Sequence, residues 1–589
     1  MNVVSPGSAR KSVAGTRGAA TLKACALPAL LLVSRAALAA PDAAVEKIIT
    51  EETAIEQQTD PKTGPGWPDV SKAAEERRTA AIRALQARLS ALPPSAPGSE
   101  DDLTRRLLQW RLAMRIEAAR FDEARIPFDN GDGFFNTGNY AAETTVIRTD
   151  ADAVAWIARI KALPAYFDQQ IENLRRGIAS GFVQPQLTAS SVLAILRIAA
   201  AQPAAASPLL EPLQKLPGTI PAEGQATLRA QGLAAVEQAI MPSQQKLVAF
   251  FEHEYVPHAR EHLAASSLPD GRAWYAFLVR RSTTTEMKPD EVFAVGEREV
   301  ARIHAEMQTV MRAAGFKGTL PQFIAMLRTE KRFYAPDLPS YVEKASEIGK
   351  RIDGLLPGWF GRLPRLTWTI RVKPPELEAS SSGYDLGDPE TGAAGAVVVG
   401  AHSYGEPLFA LPAWILHEGV PGHHLQIALG QERTDLPLFR RKDEPTAFVE
   451  GWALYSEQLG EEMGVYRDAY EHFGRLSFEM WRACRLEMDV GIHWKDWSRE
   501  QAESCLRQNT ALPETAVVRE TQRYIAWPAQ ALAYKIGELK IIEERRRAEH
   551  ALGRKFDIRA FHDAVLDEGP MPLSILHEQV SRWIAAAPN

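Results

Sequence analysis

The sequence has few cysteines, no excess of basic residues and no long hydrophobic run after its first 40 residues. Only three of its 589 residues are cysteine, too few for the disulfide framework of a small secreted domain. An oxidising compartment would allow Cys484 and Cys505 to pair, but we expect two buried free thiols. The net charge of -6 argues against nucleic acid as the main partner. The lack of a further apolar run excludes a permanent membrane anchor in the rest of the chain.

Residues 1–40 have the features of a secretory signal peptide. Basic residues precede a short apolar run at 24–33, and an Ala-Leu-Ala cleavage sequence follows at 37–39. Cys25 comes before the apolar core and not after it, so we expect no lipoprotein anchor. The mature protein should therefore be exported, to a bacterial periplasm.

The rest of the chain is longer than one ordinary core and predicts two lobes or one large helical body. Apolar residues at three- and four-residue spacing favour helices over most of it. The predicted helices cover 103–121, 153–174, 190–201, 222–251, 290–314 and 338–356. We expect a mainly α protein with a helical N-terminal lobe at 41–360, a small β element at 361–402 and a helical catalytic lobe at 403–589.

Two segments of the β element read as strands. Residues 366–372 alternate and are rich in β-branched side chains, whereas residues 394–400 form a short apolar run bounded by glycine. A Ser/Gly/Asp-rich loop at 380–392 joins them. The edge of such a sheet can hold an extended peptide as an added strand, or the strands can form a purely structural hairpin.

The segment His417-Glu418-Gly419-Val420-Pro421-Gly422-His423-His424 resembles a zinc-hydrolase motif with two inserted residues. In the ordinary HExxH helix, two histidines one turn apart bind Zn²⁺ and the glutamate acts on the bound water. Here the following histidines come six and seven residues after His417.

An unbroken helix would not bring either later histidine to the metal. The i+7 position is about 10.5 Å away along the axis, and i+6 points about 120° away. Pro421 cannot donate to the carbonyl of His417. The helix should therefore bulge, or stop at Gly419 and restart with Pro421 in its first turn. A two-residue bulge favours His423 as second ligand, with His424 as the alternative.

Glu450 supplies the candidate third ligand. It follows His423 by 27 residues in an apolar segment, 448–455, where a carboxylate should be paired or bound to a cation. Glu457 lies two turns further on the same face. It either orients a histidine ligand from behind or is a solvated surface residue.

These residues carry a resemblance to the bacterial domain-of-unknown-function family 885, whose members have HExxPGHHLQ followed by EGWALYxE. The likeness extends through 475–485 and 523–537 and covers most of residues 45–585. This family is grouped with zinc peptidases whose third ligand is glutamate, and the segment 448–450 is similar to the ligand segment of oligopeptidases related to thimet oligopeptidase. The resemblance implies a mostly helical metallopeptidase-like fold and supplies no substrate.

Several residues after the motif have open roles. Tyr524 and Tyr534 either lie in the core or donate to a developing oxyanion near the metal, and Arg523 is able to hold a substrate carboxylate. Arg485 and Asp489, one turn apart, form a surface ion pair or, with His493, part of the surroundings of the metal ligands.

The sequence therefore predicts a zinc-dependent peptidase with one Zn²⁺ per chain, held by His417, His423 and Glu450. Glu418 would be the general base that passes a proton to the leaving amine. One alternative is a zinc amidase or esterase that acts on a small molecule or a cell-wall fragment. Another is a helical binding protein with a degraded metal site.

Overall fold

The computed structural model of the protein describes residues 42–61, 66–373, 383–400, 403–443 and 445–587. The predicted signal peptide at 1–40 lies outside these residues. The described part is mainly α-helical with one small sheet, which confirms the predicted fold class. None of the described helices combines the length and the apolar character that crossing a bilayer requires.

Ten α-helices lie in the described residues up to position 258. They are α1 (Ala43–Gln57), α2 (Lys72–Ala91), α3 (Glu100–Ala118), α4 (Thr137–Thr144), α5 (Asp150–Ser180), α6 (Gln186–Ala201), α7 (Glu211–Gln214), α8 (Ala222–Ala235), α9 (Met241–Phe250) and α10 (Val256–His258). The longest of them, α5, begins with a capping box between Thr149 and Asp152 and ends at Gly181 in the left-handed region.

Four helices and the sheet follow. The helices are α11 (Gly271–Thr283), α12 (Pro289–Ala313), α13 (Leu320–Thr329) and α14 (Leu338–Asp353), and the strands are β1 (Trp368–Val372), β2 (Gly383–Asp385) and β3 (Gly395–Val399). The helices predicted from Asp290 and from Leu338 are confirmed, because α12 and α14 begin within one residue of these positions.

The sheet has the order β1-β3-β2, with β1 parallel and β2 antiparallel to β3. The two strands predicted before the metal helix are therefore confirmed. The loop predicted between them is wrong in part, because β2 lies within it. Three residues are too few to show the alternation of a strand, so β2 is defined only by its pairing with β3.

The remaining ten helices carry the predicted motifs. They are α15 (Leu411–Glu418), α16 (His423–Glu432), α17 (Leu438–Lys442), α18 (Thr446–Glu462), α19 (Ala469–Lys495), α20 (Arg499–Asn509), α21 (Glu514–Ala526), α22 (Ala533–Leu552), α23 (Ile558–Leu566) and α24 (Leu573–Ala586).

One apolar core joins distant parts of the sequence. It includes Val45 of α1 and Leu108 of α3 together with Trp452 of α18 and Val580 of α24. A second core lies within residues 128–255, and a third combines residues of α12 and α13 with α19–α21. The lobe boundaries near residues 360 and 402 remain predictions, since the first core contains residues from both proposed lobes.

Cys484 and Cys505 are bonded to each other, so the expectation of two free thiols is wrong. Their Cα atoms are 5.7 Å apart, a separation that a disulfide requires. Cys484 lies in α19 and Cys505 in α20, and these consecutive helices pack side by side. The pairing depends on this packing, which the 21-residue spacing does not reveal.

Candidate metal centre

The helix that carries the motif stops and restarts. It ends at Glu418, where the amide of Gly419 still donates to the carbonyl of Ile415 at 2.9 Å, and α16 begins at His423. The stop at Gly419 agrees with the second of the two predicted forms. The restart comes two residues after Pro421, which lies in the connection and not in the first turn of α16.

Close packing holds this connection against the end of α15. A Cβ atom on Gly422 would lie only 2.0 Å from the carbonyl oxygen of His417, so only glycine fits there. From α18, the indole Nε1 of Trp452 donates to the carbonyl of Pro421 at 2.8 Å. As a result, the rings of His417 and His423 approach to 4.9 Å between centroids.

His417, His423 and Glu450 form a group that fits a metal ion, and within the described residues no other group of three does so. One ligand atom of each lies within 4.8 Å of the others. Oε2 of Glu450 is 3.4 Å from Nε2 of both histidines, yet this buried oxygen makes no hydrogen bond. The three ligand atoms are therefore close enough to bind one ion, and the carboxylate oxygen is not satisfied by either histidine.

The charges in this group are consistent with a cation site. Burial opposes charge on His417, but the nearby carboxylates of Glu450 and Glu457 raise its pKa to about 9. Burial likewise opposes ionisation of Glu450, but the two histidines hold its pKa well below the usual range. Two imidazoles and one carboxylate are the donor set of a catalytic zinc site, so the residues fit the predicted ion.

Glu457 lies behind His417, as the first of its two predicted roles requires. Its Oε1 accepts from Nδ1 of His417 at 2.8 Å, and the residue is only 1% exposed, so the surface alternative is wrong. Arg482 of α19 lies 3.4 Å from the same oxygen. Because Nδ1 is the donor, Nε2 of His417 is the nitrogen that points to Glu450.

Glu418 lies beside the three residues without belonging to the group. Its Oε2 is 4.0 Å from Nε2 of His423. Burial raises the pKa of Glu418 above its usual range, although the neighbouring histidines act in the opposite direction. A carboxylate beside a cation site is placed to exchange a proton with a molecule bound there.

His424 has different partners from His423. Its Nε2 donates to the carbonyl of Leu366 at 3.0 Å, and its Nδ1 accepts from the hydroxyl of Tyr384 at 2.9 Å. Both ring nitrogens are therefore engaged by the segment before β1 and by β2. The structure brings His423, and not His424, to His417 and Glu450.

Tyr534 is the tyrosine that contacts this group. Its ring stacks on the ring of His417, with centroids 6.3 Å apart and planes inclined by 15°. Burial and the negative charge of Glu450 raise its pKa. Its hydroxyl has one weak contact, from Nε2 of Gln530 at 3.4 Å, and its own proton is free for another acceptor.

A pair of glycines sets the position of Tyr534. A Cβ on Gly537 of α22 would lie 1.8 Å from the carbonyl of Ala447 in α18, and a Cβ on Gly451 would lie 2.4 Å from the backbone of Gly537. The two helices therefore cross at backbone contact. The sequence signal for this close crossing of α18 and α22 is a pair of small residues, Gly451 next to Glu450 and Gly537 shortly after Tyr534.

Tyr524 is held in a separate network. Its hydroxyl accepts from Trp481 and Arg485 at 2.8 and 2.7 Å and donates to Glu520 at 3.0 Å. Arg523, the residue expected to hold a carboxylate, is itself paired with Glu520 at 2.9 Å. Both side chains are thus committed to protein partners.

Arg485 and Asp489 are 3% and 0% exposed, so a surface ion pair between them is excluded. Asp489 accepts from the hydroxyl of Tyr275 at 2.6 Å and from the amide of Ala529 at 3.0 Å. His493 bonds to the backbone of Ala265 and Tyr524. These residues fix the turn between α21 and α22.

The sheet reaches the site through β2. A Cβ on Gly383 would lie 3.5 Å from Oε2 of Glu418, so the backbone of this strand passes close to the candidate base. The hydrogen bond from Tyr384 to His424 fastens the same strand to α16. One edge of β2 pairs with β3, and no described strand pairs with its other edge.

Comparison with known proteins gives a family and a fold. The model of a family described as "Bacterial protein of unknown function (DUF885)" matches residues 59–580. A search of curated proteins found no match.

The solved structures that are similar to this chain include the following two. The first, a "putative lipoprotein" from Colwellia psychrerythraea, is 26% identical with a TM-score of 0.84, covering 92% of this chain and 97% of the other. The second, a "putative lipoprotein of unknown function" from Shewanella oneidensis, is 17% identical with a TM-score of 0.68 and covers 91% and 99%; it shows likeness of fold alone. Since the family model matches nearly the whole chain, the protein belongs to the DUF885 family of bacterial proteins.

Proposed function

We propose that the protein is a zinc-dependent peptidase with one Zn²⁺ held by His417, His423 and Glu450. The observation that carries this proposal is the convergence of these three side chains within 4.8 Å, with Glu418 beside them and Glu457 behind His417. A degraded site in a binding protein has no need of three partly buried carboxylates around two histidines, which are costly to keep away from water.

The side chains divide the chemistry among them. Zn²⁺, when bound, supplies Lewis-acid polarisation of a carbonyl and acidifies water. Glu418 takes the proton of the attacking water and delivers it to the leaving amine. Tyr534 donates its free hydroxyl proton to the developing oxyanion. Glu457 keeps the Nδ1 proton of His417 in place, so that Nε2 remains the ligand atom.

The sheet favours a peptide as substrate over a small ester. An extended peptide that adds to the open edge of β2 makes backbone hydrogen bonds with this strand, and β2 itself passes Glu418 at Gly383. A small-molecule ester has no backbone to pair with this edge. The proposed substrate is therefore an extended peptide segment.

Export is part of the proposal. The disulfide between Cys484 and Cys505 is a bond that persists in oxidising compartments. Both similar solved structures carry the description "putative lipoprotein", and residues 1–40 have the pattern of a signal peptide. The periplasm is the compartment that fits these three observations.

Hydrolysis assays with the mature, zinc-loaded protein test the function. Mass spectrometry of a mixed peptide library should show that some of its peptides are cleaved. We expect no comparable turnover of short-chain esters. Glu418→Gln should lower peptide turnover by about 10²–10⁴-fold, the loss expected for a positioned general base, while zinc content stays unchanged. Equal peptide turnover by the parent and Glu418→Gln would exclude Glu418 as the base. Faster turnover of esters than of any peptide would favour the esterase alternative.

A further inference from the structure

A cavity of about 300 Å³ lies beside the turn that connects α21 to α22. Its wall includes Phe128, Asp129, Gln184 and Trp274 from the first half of the chain and Trp527 from the turn itself. Its volume is at the lower end of the range of small-molecule sites. None of the four metal-centre residues, His417, Glu418, His423 and Glu450, belongs to its wall, so it is distinct from the proposed zinc site.

Gln184 offers this cavity an acceptor that has no protein partner. The residue is only 4% exposed. Its Nε2 donates to the carbonyl oxygens of Phe128 and Ala526, at 2.8 and 3.1 Å. Because both of these partners are acceptors, the orientation of the amide is fixed. Its Oε1 accepts no hydrogen bond from a described residue and is not among the fully buried oxygens without a partner. It therefore faces the cavity that the residue lines.

Asp129 provides a second free acceptor in the same wall. Its Oδ1 accepts from the amides of Gly131 and Asp132, at 2.9 and 2.8 Å, and its Oδ2 accepts from no described residue. Burial raises the pKa of this carboxyl, as expected for an acid that lacks a close cation of its own.

The other charged groups of the wall already have partners. Glu123 accepts from Trp274 at 2.8 Å and from Arg281 at 3.0 Å. Asp132 accepts from Asn136 and Tyr140, both at 2.8 Å. The acceptors left for a ligand are therefore Oδ2 of Asp129 and Oε1 of Gln184.

The aromatic residues indicate which chemical group can carry the hydrogen-bond donor of a ligand in this cavity. Trp527 is 48% exposed, although large aromatic side chains are usually covered, and Phe128 and Trp274 line the same space. Aromatic faces attract cations and pack against apolar stems. A carboxylate, a free amide oxygen and aromatic walls together match an ammonium ion on a short apolar stem.

We propose that this cavity binds a primary ammonium group on an aliphatic stem, through Asp129 and Gln184, with Trp527 flanking the stem. Binding of such a group does not depend on the proposed peptidase activity. The assignment of the ammonium to a peptide, as its amino terminus or as a lysine-type side chain, does rest on that proposed function.

Contacts connect the cavity to the zinc site. The wall residues at 526–528 belong to the turn that Arg523 bridges, since Arg523 donates to Oε1 of Gln530 at 2.8 Å. Gln530 in turn contacts the hydroxyl of Tyr534, which stacks on His417.

Isothermal titration of the full mature protein with n-butylammonium tests the site without any hydrolysis. We expect saturable binding, with n-butanol binding at least about tenfold more weakly, since a hydrogen bond to a charged group is worth that much. Asp129→Asn keeps the acceptor for Gly131 and Asp132, so it should fold. It should weaken n-butylammonium binding about tenfold.

Two further variants keep the test decisive. Asp168→Asn removes the same charge from an exposed residue paired with Lys246 and should leave binding unchanged. Trp527→Leu, on the half-exposed side of the cavity, should weaken binding about two- to fivefold. Equal binding of n-butanol and n-butylammonium, or parental affinity in Asp129→Asn, would overturn the proposal.

A peptide series then identifies the source of the ammonium. Titrations compare Gly-Lys-Gly with its N-acetylated form and with Gly-norleucine-Gly. Weaker binding after acetylation assigns the site to an amino terminus, and weaker binding of the norleucine peptide assigns it to a lysine-type side chain. Unchanged affinity in both would overturn the assignment to peptides, while the amine titration still decides on the cavity and the zinc assays decide separately on the proposed function.

Discussion

At the scale of single residues, the adjacent histidines at 423 and 424 have opposite environments. His423 faces His417 and Glu450, whereas His424 is fixed between Leu366 and Tyr384. His423→Ala should therefore lose the bound metal, because a ligand is removed. His424→Ala should keep most of it. Zinc analysis after gel filtration measures both, and the reverse pattern would mean that the chain aims His424 at the ion.

The two tyrosines near the site also have distinguishable roles. Tyr534→Phe removes the free hydroxyl beside His417, and we expect kcat to fall by about 10²–10³-fold, the usual effect of losing an oxyanion donor. Zinc content and thermal stability should stay close to the parent.

Tyr524→Phe is the matched control for this change. It removes a hydroxyl that serves Trp481, Arg485 and Glu520, so it should lower the unfolding temperature more than Tyr534→Phe does. If Tyr524→Phe caused the larger loss of kcat at unchanged stability, the assignment of the oxyanion donor to Tyr534 would be wrong.

The sequence indicated most of the residues of the centre but not their arrangement. The ligand set, Glu418 and the supporting Glu457 follow from spacing and from residue type, because few residues bind zinc. The choice between Tyr524 and Tyr534 does not, since it depends on the crossing of α18 and α22 at Gly451 and Gly537. The ion pair of Arg523 likewise depends on Glu520, and Glu520 belongs to none of the motifs recognised in the sequence.

At the scale of secondary-structure elements, the strand β2 links the sheet to α16. Its backbone passes Glu418 at Gly383, and Tyr384 ties it to His424. Tyr384→Phe removes only this hydroxyl. If β2 aligns the substrate, KM for peptides should rise several-fold while kcat and zinc content change little, because the metal ligands are untouched.

His424→Phe is the complementary variant, since it removes the other partner of the same hydrogen bond. The double variant with Tyr384→Phe should be no worse than His424→Phe alone, because His424→Phe already lacks the contact that Tyr384→Phe removes. A fall in kcat with unchanged KM in Tyr384→Phe would show that β2 does not hold the substrate.

Two local features, the strand β2 and the length of the break between α15 and α16, could not be predicted from the sequence. The strand β2 has three residues and is defined by its pairing with β3. The length of the break between α15 and α16 depends on Gly422 lying against the carbonyl of His417 and on Trp452 binding the carbonyl of Pro421. Long helices such as α12 were predictable because their apolar periodicity extends over many turns.

At the scale of the whole molecule, two buried histidines make stability depend on pH. Burial lowers the pKa of His493 and of His562 to about 3 in each case. Each ring has one nitrogen on a backbone carbonyl and the other accepting a donor. Both histidines are therefore neutral in the folded protein at ordinary pH.

The unfolded chain binds protons at these histidines below about pH 6.5, the ordinary pKa, whereas the folded protein resists them until about pH 3. Their stabilising contribution is thus complete above pH 6.5 and is lost as the pH falls toward 3. Each should reduce the free energy of unfolding by up to about 1.4 kcal/mol per pH unit in that window. Urea unfolding at several pH values measures this.

His562→Gln is the control for this prediction, since it removes one of the two groups and none of the proposed metal ligands. The difference in unfolding free energy between the parent and this variant should shrink as the pH falls from 7 to 4.5. A difference that is constant over this range would contradict the neutral, buried state of His562.

The central claim is that His417, His423 and Glu450 hold one zinc ion, and elemental analysis of the purified mature protein tests it most directly. We predict about one zinc per chain after loading and dialysis, unchanged in Glu418→Gln and strongly reduced in Glu450→Gln, which loses a ligand carboxylate. A chain that retains no metal after zinc loading would contradict the account. Full zinc retention in Glu450→Gln would contradict it as well, because the ion would then be bound elsewhere.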